Sequence, residues 1–276
     1  MTPPPIAEEL IRHPHRCENL ETLASQVANR EGIGAEIAEG VKRMSEKYGG
    51  AEFAIHAKGM ELAAYDPRAA QGMGLGYATA NRGGCHLNGG YLIVLEGLGM
   101  RVDGATTRGK AAFTVFFQDL MEAASAAGSC LFSTYAVLPS SLIKHPNNIF
   151  VRGIYALLPG FGGLVAFMHC HTGLLGVNAP GVVPYPYAYK LVTGGKMNIG
   201  LFVRSGERIY NLERLVNIRQ GLKDGDTLPH RLTGQNQETE PHGRVHLEKM
   251  LKKYYRIRGW DEHGAPTEKR LQKLGL

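Results

Sequence analysis

The sequence has few cysteines and no paired cysteine motif. Its four cysteines, Cys17, Cys85, Cys130 and Cys170, are far apart and form no CxxC pair, which excludes a zinc knuckle and a thioredoxin-like motif. The N-terminal sequence MTPPPIAEELIRHPHRCENL has no apolar core followed by a small-residue cleavage site. We therefore expect no secretory signal, a reducing cytoplasmic location and free thiols.

The sequence also lacks a concentrated charge of one sign, a repeat and alternating strand patterns. The 31 Lys and Arg residues exceed the 25 Asp and Glu residues by six, and they are spread through both ends, which argues against nucleic acid as the main partner. No fixed period recurs and little of the chain alternates with period two. Apolar residues at 43% and charged residues at 20% of 276 residues are typical of a globular protein with a substantial core.

Charged residues are absent between Arg152 and Lys190. Within this segment, residues 153–168 read GIYALLPGFGGLVAFM, a composition that invites a transmembrane interpretation. The apolar run is shorter than the roughly 18 residues of a span, contains Pro159 and leads into the sequence HCH at 169–171. We expect no membrane span and interpret the segment as a buried loop or groove wall rich in glycine and proline.

Helical periodicity is the main positive signal. Apolar residues recur at three- and four-residue spacing in Leu20–Arg30, Ile37–Tyr48, Arg108–Ala126, Gly206–Gln220, Leu247–Arg258 and a short last helix after Thr267. The 36 glycines, many in pairs or in GxG spacing, predict tight turns and close backbone contacts. The predicted class is mainly α, with two all-α subdomains at residues 1–58 and 59–276. The second subdomain contains the uncharged segment 153–189.

Familiar nucleotide and metal motifs are incomplete. Gly72–Gly76 lacks the third glycine of a dinucleotide loop, and Gly195-Lys196 is followed by Met197 where a phosphate loop needs Ser or Thr. The adjacent side chains of the HCH sequence at 169–171 rarely converge on one ion, so we expect them to pack near a loop. These patterns exclude both nucleotide loops as binding motifs.

Two segments are more informative. Residues 61–87 read ELAAYDPRAAQGMGLGYATANRGGCHL, and residues 123–135 read AASAAGSCLFSTY. Together with REGIGAEIAEGVKR, GERIYNLERLVNIRQG, DTLPHRL and YYRIRGWDEHGAPTEKRLQKLGL, the chain resembles the aldehyde ferredoxin oxidoreductase family, the tungsten- or molybdenum-pterin enzymes with an iron–sulfur cluster. The resemblance is to the family's C-terminal helical domains, from about Leu20 to Tyr135 and from about Thr193 to Leu276.

The resemblance implies a cluster ligand at Cys130. In the family a DxxGxC segment supplies the fourth thiolate of a [4Fe-4S] cluster, and that segment is similar to Ser125, Gly128 and Cys130 here. The family's other three ligands belong to a CxxCxxxC stretch that this sequence does not contain. The aspartate that hydrogen-bonds the pterin is Ser125 here. Because charge-assisted hydrogen bonds are roughly twice as strong as neutral ones, we expect a weakened pterin contact.

The resemblance also implies a catalytic role for His86. This residue ends RGGCH and resembles the family histidine that lies near the metal and is proposed to move protons or hold the substrate carbonyl, tasks that suit an imidazole. Asn81 and Arg82, with the following Gly83-Gly84, are candidate contacts for an anionic cofactor, since arginine offers a forked donor and glycine exposes backbone N–H groups. A simple turn is the alternative. The other three cysteines are interpreted as packing residues.

The function implied by the resemblance is oxidation of an aldehyde to a carboxylic acid at a tungsten or molybdenum bis-pterin, with electron transfer through the [4Fe-4S] cluster to ferredoxin. The pterin-cradling domain and three cluster cysteines are outside this sequence, so the implied partners are ferredoxin and a separate N-terminal half-chain of a split enzyme. A homodimer is compatible with either arrangement. The alternative is a non-catalytic helical binding or assembly subunit, or a truncated remnant. Ser125 favours this alternative, whereas Cys130 and His86 favour the enzyme.

Overall fold

The computed structural model describes residues 17–130, 144–180, 183–222, 225–237 and 243–276. The described part is mainly α, as predicted. Its helices are α1 Cys17–Asn29, α2 Ile33–Ile37, α3 Gly40–Tyr48, α4 Gln71–Thr79, α5 Lys110–Ala126, α6 Ile149–Leu157, α7 Gly162–Cys170, α8 Tyr185–Thr193, α9 Ile199–Arg219, α10 His230–Thr233, α11 Leu247–Arg258 and α12 Glu268–Leu274. Strands β1 (His56–Ala57) and β2 (Met60–Glu61) form an antiparallel hairpin, with Ala57 opposite Met60.

Helix α5 is the centre of the fold. It packs against α4, α7, α9 and α11, and most of its 17 residues are buried. Val115 of α5 lies in the main apolar cluster with Tyr210, Tyr254 and Trp260. Burying an apolar side chain of this size stabilises a fold by roughly 1.5–3 kcal/mol, so this cluster holds the helices together around α5.

A glycine sets the contact between α5 and α9. A Cβ atom on Gly206 would lie 1.7 Å from the carbonyl oxygen of Asp119, a distance that no side chain can tolerate. The two backbones can meet only because glycine has no Cβ. The close backbone contacts predicted from the glycine content are therefore confirmed here.

The C-terminal helices follow the predicted pattern. Helix α11 has the predicted bounds and ends at Gly259, whose φ of 69° is left-handed, as expected of a C-terminal glycine. Helix α12 begins after Thr267, whose side chain accepts a hydrogen bond from the backbone N–H of Arg270. Helix α9 begins at Ile199, seven residues before its predicted start, because Asn198 caps it.

Two predictions differ from the structure. The predicted helix Ile37–Tyr48 is interrupted at Gly40, where φ is 82°, so α2 and α3 are separate. The uncharged segment was expected to be a buried loop, and this is wrong, since it forms α6, α7 and α8. Pro159 is accommodated in a 3₁₀ turn between α6 and α7, where its missing N–H breaks no α-helical hydrogen bond.

The uncharged segment is also exposed. Leu157 is 64% exposed and Leu174 is 66% exposed. Within the described residues, one helical stretch, Ile149–Cys170, is long and apolar enough to cross a membrane by length and composition, with 22% of its apolar window buried. One side of this stretch belongs to the fold, because Gly162 packs against the backbone of Gly109.

The predicted division into subdomains at residues 58 and 59 falls inside the β-hairpin. The hairpin contacts α3 through Glu61, whose carboxylate accepts a hydrogen bond of 2.8 Å from the backbone N–H of Val41. The division stays a prediction.

Candidate functional site

His86 lies in a loop between α4 and α5, among aromatic rings. Its ring centroid is 5.7 Å from that of Tyr65 and 5.2 Å from that of Tyr91. The two tyrosine hydroxyls are 3.0 Å apart. Partial burial lowers the pKa of His86, because a charged imidazolium loses hydration in this setting. The imidazole is therefore neutral at pH 7 and can accept a proton or donate a hydrogen bond.

The two glycines before Cys85 bring the loop against the β-hairpin. A Cβ on Gly83 would lie 2.8 Å from the carbonyl oxygen of Ala57, and a Cβ on Gly84 would lie 2.6 Å from that of Met60. Gly83 also has a left-handed φ of 100°. Glycine is needed at both positions for close packing, which fits the turn interpretation of this loop.

A buried polar network ties the same loop to helices α5 and α9. The side-chain amide of Asn88 donates to the carboxylates of Glu122 (2.7 Å) and Glu213 (3.2 Å). The side-chain amide of Asn81 donates to Glu213 at 3.2 Å and to the carbonyl oxygen of Tyr210 at 2.9 Å. The side-chain N–H donors of Asn81 are thus used inside the fold.

Glu122 and Glu213 form a pair of like charges in this network. Burial, and next the nearby carboxylate of Glu213, raise the pKa of Glu122 to about 7. The guanidinium of Arg82, whose side chain is 44% exposed, is 4.0 Å from Glu122 and offsets this only weakly. Since a buried carboxyl beside a second carboxylate resists ionising, Glu122 keeps its proton close to neutral pH.

The segment Ser125–Cys130 forms the carboxyl end of α5. Ser125 is half-buried, and Gly128 has a left-handed φ of 72° with no atom of the described residues within 4 Å of an added Cβ. The thiol of Cys130 is exposed. An exposed thiol can act as one ligand of a cluster whose other ligands come from elsewhere, so the residues present fit one corner of a [4Fe-4S] cluster.

The His86 loop is joined to the C-terminal half of α5. Glu122, which accepts a hydrogen bond from the side-chain amide of Asn88 in this loop, is one helical turn before Ser125 and eight residues before Cys130. The loop that carries Arg82 and His86 is therefore attached to the helix that leads into Ser125 and Cys130.

The HCH sequence at 169–171 lies elsewhere, on α7. His169 Nε2 is 2.7 Å from Asp119 and 3.8 Å from Glu207, and these groups could geometrically surround an ion. Asp119 also binds Arg258, and Glu207 binds Arg270. Each carboxylate is already paired with a guanidinium, so the cluster is an internal ion network. Contrary to simple packing near a loop, His169 is a buried charged group.

Sequence reasoning missed Glu122, Glu213 and Asn88. The signal was present, because Glu122 and Glu213 stand in two strongly predicted helices, and a carboxylate in an otherwise apolar segment such as FFQDLMEAASA indicates either a buried pair or a site. The structural fact that periodicity could not supply is that these two helices face each other at these positions.

Comparison with known proteins agrees with this architecture. A family described as aldehyde ferredoxin oxidoreductase, domains 2 and 3, matches residues 15–276. The chain is 34% identical over 273 residues to the tungsten-containing aldehyde ferredoxin oxidoreductase of Pyrococcus abyssi, and 33% identical to that of Pyrococcus furiosus. The same enzyme of Thermococcus kodakarensis is 33% identical over 274 residues.

These matches cover 95% of this chain and 38% of each relative. The chain therefore corresponds to the helical domains 2 and 3 of the family. The chain belongs to the aldehyde ferredoxin oxidoreductase family, and the family resemblance inferred from the sequence motifs is confirmed.

Proposed function

We propose that this chain supplies the helical, cofactor-facing part of an enzyme that oxidises an aldehyde to a carboxylic acid. The proposal is supported by the attachment of the Arg82–His86 loop, through Asn88, to the helix that leads into Ser125 and Cys130, in a chain of this family. When bound, a tungsten or molybdenum bis-pterin would take two electrons from the aldehyde, and a [4Fe-4S] cluster would pass them to ferredoxin.

The chain's own residues have separate tasks in this proposal. His86, neutral at pH 7, hydrogen-bonds the aldehyde carbonyl through its N–H or accepts a proton as the carboxylic acid forms. Tyr65 and Tyr91 flank the imidazole and reduce its contact with water. Cys130 supplies one thiolate to the cluster, and Ser125 gives a neutral hydrogen bond to the pterin. A partner that carries the family's N-terminal pterin domain supplies the remaining ligands.

The test is reconstitution in the reducing cytoplasm of an expression host. The chain is expressed alone and with a chain that carries the N-terminal half of a family member, and bound iron, tungsten and molybdenum are measured with aldehyde-dependent dye reduction. We expect metal and activity only in the copurified pair. A pair that copurifies without metal would contradict the proposal.

Two variants assign the roles in that pair. Cys130→Ala should remove cluster iron, whereas the matched control Cys170→Ala should retain it. His86→Asn should retain metal and lose most aldehyde oxidation. If Cys130→Ala retained full iron, its ligand role would be wrong, and if His86→Asn kept full activity, its catalytic role would be wrong.

A second candidate is a non-catalytic binding or assembly subunit, which Ser125 favours because it cannot provide the family's charged acceptor. The variant Ser125→Asp separates the two functions. For the enzyme, this variant should raise the pterin content of the reconstituted pair. For a binding subunit, it should leave the pair intact and free of pterin.

A further inference from the structure

Cys170 is the last residue of α7 and lines a small cavity between α7, α9 and α12. The thiol is half-buried. The cavity has a volume of about 70 Å³ and is lined by His169, Cys170, Thr172, Arg204, Glu207, Arg270, Lys273 and Leu274. It therefore has room for a molecule of a few heavy atoms beside the sulfur.

The charged groups that face this cavity are mainly cationic. Helix α7 contributes His169, α9 contributes Arg204 and Glu207, and α12 contributes Arg270 and Lys273. Glu207, the acidic member, is paired with Arg270. The excess of positive charge favours the thiolate form of a cysteine.

His169 is a buried cation beside the thiol. Its side chain has no exposed surface, and its Nε2 is 2.7 Å from Asp119. Although burial opposes the charged form, the hydrogen bond to Asp119 raises the pKa of His169 to about 9. Its Nδ1 makes no hydrogen bond of regular geometry with the described residues, and a buried N–H of this kind is stabilised by an acceptor such as a thiolate or a small ligand.

The carboxyl end of α7 would by itself disfavour a thiolate, because the helix dipole is negative there. Lys273 compensates for this, since its ammonium donates to the carbonyl oxygen of Cys170 at 3.0 Å. His169 first, with Arg270 and Lys273, lowers the pKa of the Cys170 thiol. The cavity and its cations thus act in the same direction.

We propose that Cys170 is a reactive thiol and a site of oxidation by small hydroperoxides such as hydrogen peroxide. The sulfur attacks one peroxide oxygen, an S–O bond forms and the O–O bond breaks. The sulfur loses two electrons and becomes a sulfenic acid, and the other peroxide oxygen leaves as hydroxide, which a proton from the buffer converts to water. This inference does not depend on the proposed aldehyde oxidation or on any metal.

The first test is alkylation of the purified chain by iodoacetamide between pH 5 and 9, followed site by site by mass spectrometry. At pH 7 we expect Cys170 to react about ten times faster than Cys130, although Cys130 is the more exposed thiol. Equal rates at pH 7, or parallel pH profiles for the two thiols, would overturn the proposal.

Variants distinguish the effect of the cavity's positive charge on the reaction rate of Cys170 from the effect of its exposure. His169→Gln, which removes the buried cation, should slow alkylation of Cys170 about fivefold and leave Cys130 unchanged. Because this variant could disturb folding, Lys273→Gln on the exposed rim serves as a second one, with an expected twofold to threefold decrease. Lys269→Gln, on the same helix but outside the cavity, is the matched control. A rate that none of the cavity variants lowers would overturn the proposal.

The oxidation step is tested with hydrogen peroxide and dimedone, which traps sulfenic acids. We expect the dimedone adduct at Cys170 with one equivalent of peroxide, before any adduct at Cys130. An adduct that forms first at Cys130, or none at Cys170, would overturn the oxidation step.

Discussion

Two acidic side chains of α5 are three residues apart and buried in opposite electrical environments. Asp119 lies between Arg258 and the imidazole of His169, so its charge is compensated on both sides. Glu122 faces Glu213, the side-chain amide of Asn88 and a distant guanidinium. A buried charge with an ion partner anchors a fold, whereas a buried carboxyl beside another one stays protonated up to neutral pH.

The comparison shows which side of α5 can exchange a proton near neutral pH. The Asp119 side of α5 joins α7, α9 and α11 through ion pairs. The Glu122 side joins the His86 loop through neutral amide hydrogen bonds, and its proton equilibrium lies in the physiological range. The titratable pair is therefore on the side of α5 that carries the candidate site.

The largest expected effect comes from removing an ion partner of Asp119. Arg258→Met should lower the free energy of unfolding by about 3–5 kcal/mol, because Asp119 would keep a buried charge with one partner fewer. Urea denaturation at pH 7 measures this. Arg256→Met, an exposed position on the same helix, should change stability by less than about 0.5 kcal/mol. A loss below about 1 kcal/mol in Arg258→Met would show that the pair is not an anchor.

The interaction of His169 with Asp119 should also make the free energy of unfolding depend on pH. Because folding raises the pKa of His169 from 6.5 to about 9, its contribution is fully present below pH 6.5 and is lost as pH rises to about 9, by about 3 kcal/mol. His169→Asn should remove this decrease between pH 7 and 9. An unchanged decrease in the variant would contradict the assignment.

On the Glu122 side of α5, removing a charge should stabilise the chain, whereas removing a charge beside Asp119 should destabilise it. Folding raises the pKa of Glu122 from 4.5 to about 7, so the native chain loses stability as pH rises through this window. Glu122→Gln should stabilise the chain by about 2 kcal/mol at pH 8 and remove the decrease between pH 5 and 7. Glu262→Gln, in an exposed turn, is the control. A destabilised Glu122→Gln variant at pH 8 would show that the carboxylate is ionised and needed.

The smallest effect is expected at the exposed guanidinium. Arg82 is 4.0 Å from Glu122 and 44% exposed, so Arg82→Gln should lower stability by less than about 1 kcal/mol, and only above pH 7 where Glu122 ionises. Thermal unfolding at pH 6 and pH 8 checks both points. An equal loss of stability at the two pH values would show that Arg82 acts through packing and not through its charge.

The sequence was sufficient for much of the fold because the signals there are local. Periodic apolar spacing and end residues such as Gly259 and Thr267 depend on neighbours within one or two turns. The exposed helices of segment 153–189 were missed because glycine, proline and the absence of charge were taken as signs of a buried loop. The Glu122–Glu213 pair was missed because its members are 91 residues apart in the sequence. Only the packing of α5 against α9 brings them together.

The glycine contact between α5 and α9 has a consequence for the divergence of this chain. Because the backbone of Gly206 rests on that of Asp119, α9 cannot slide by one residue without driving Ser205 or Glu207 into a carbonyl oxygen. The contact therefore fixes the register of α9 on α5. Mutations in the apolar layers around the contact can therefore accumulate without shifting the partners of Asp119 and Glu122, and a single methyl group at position 206 would move both sets at once.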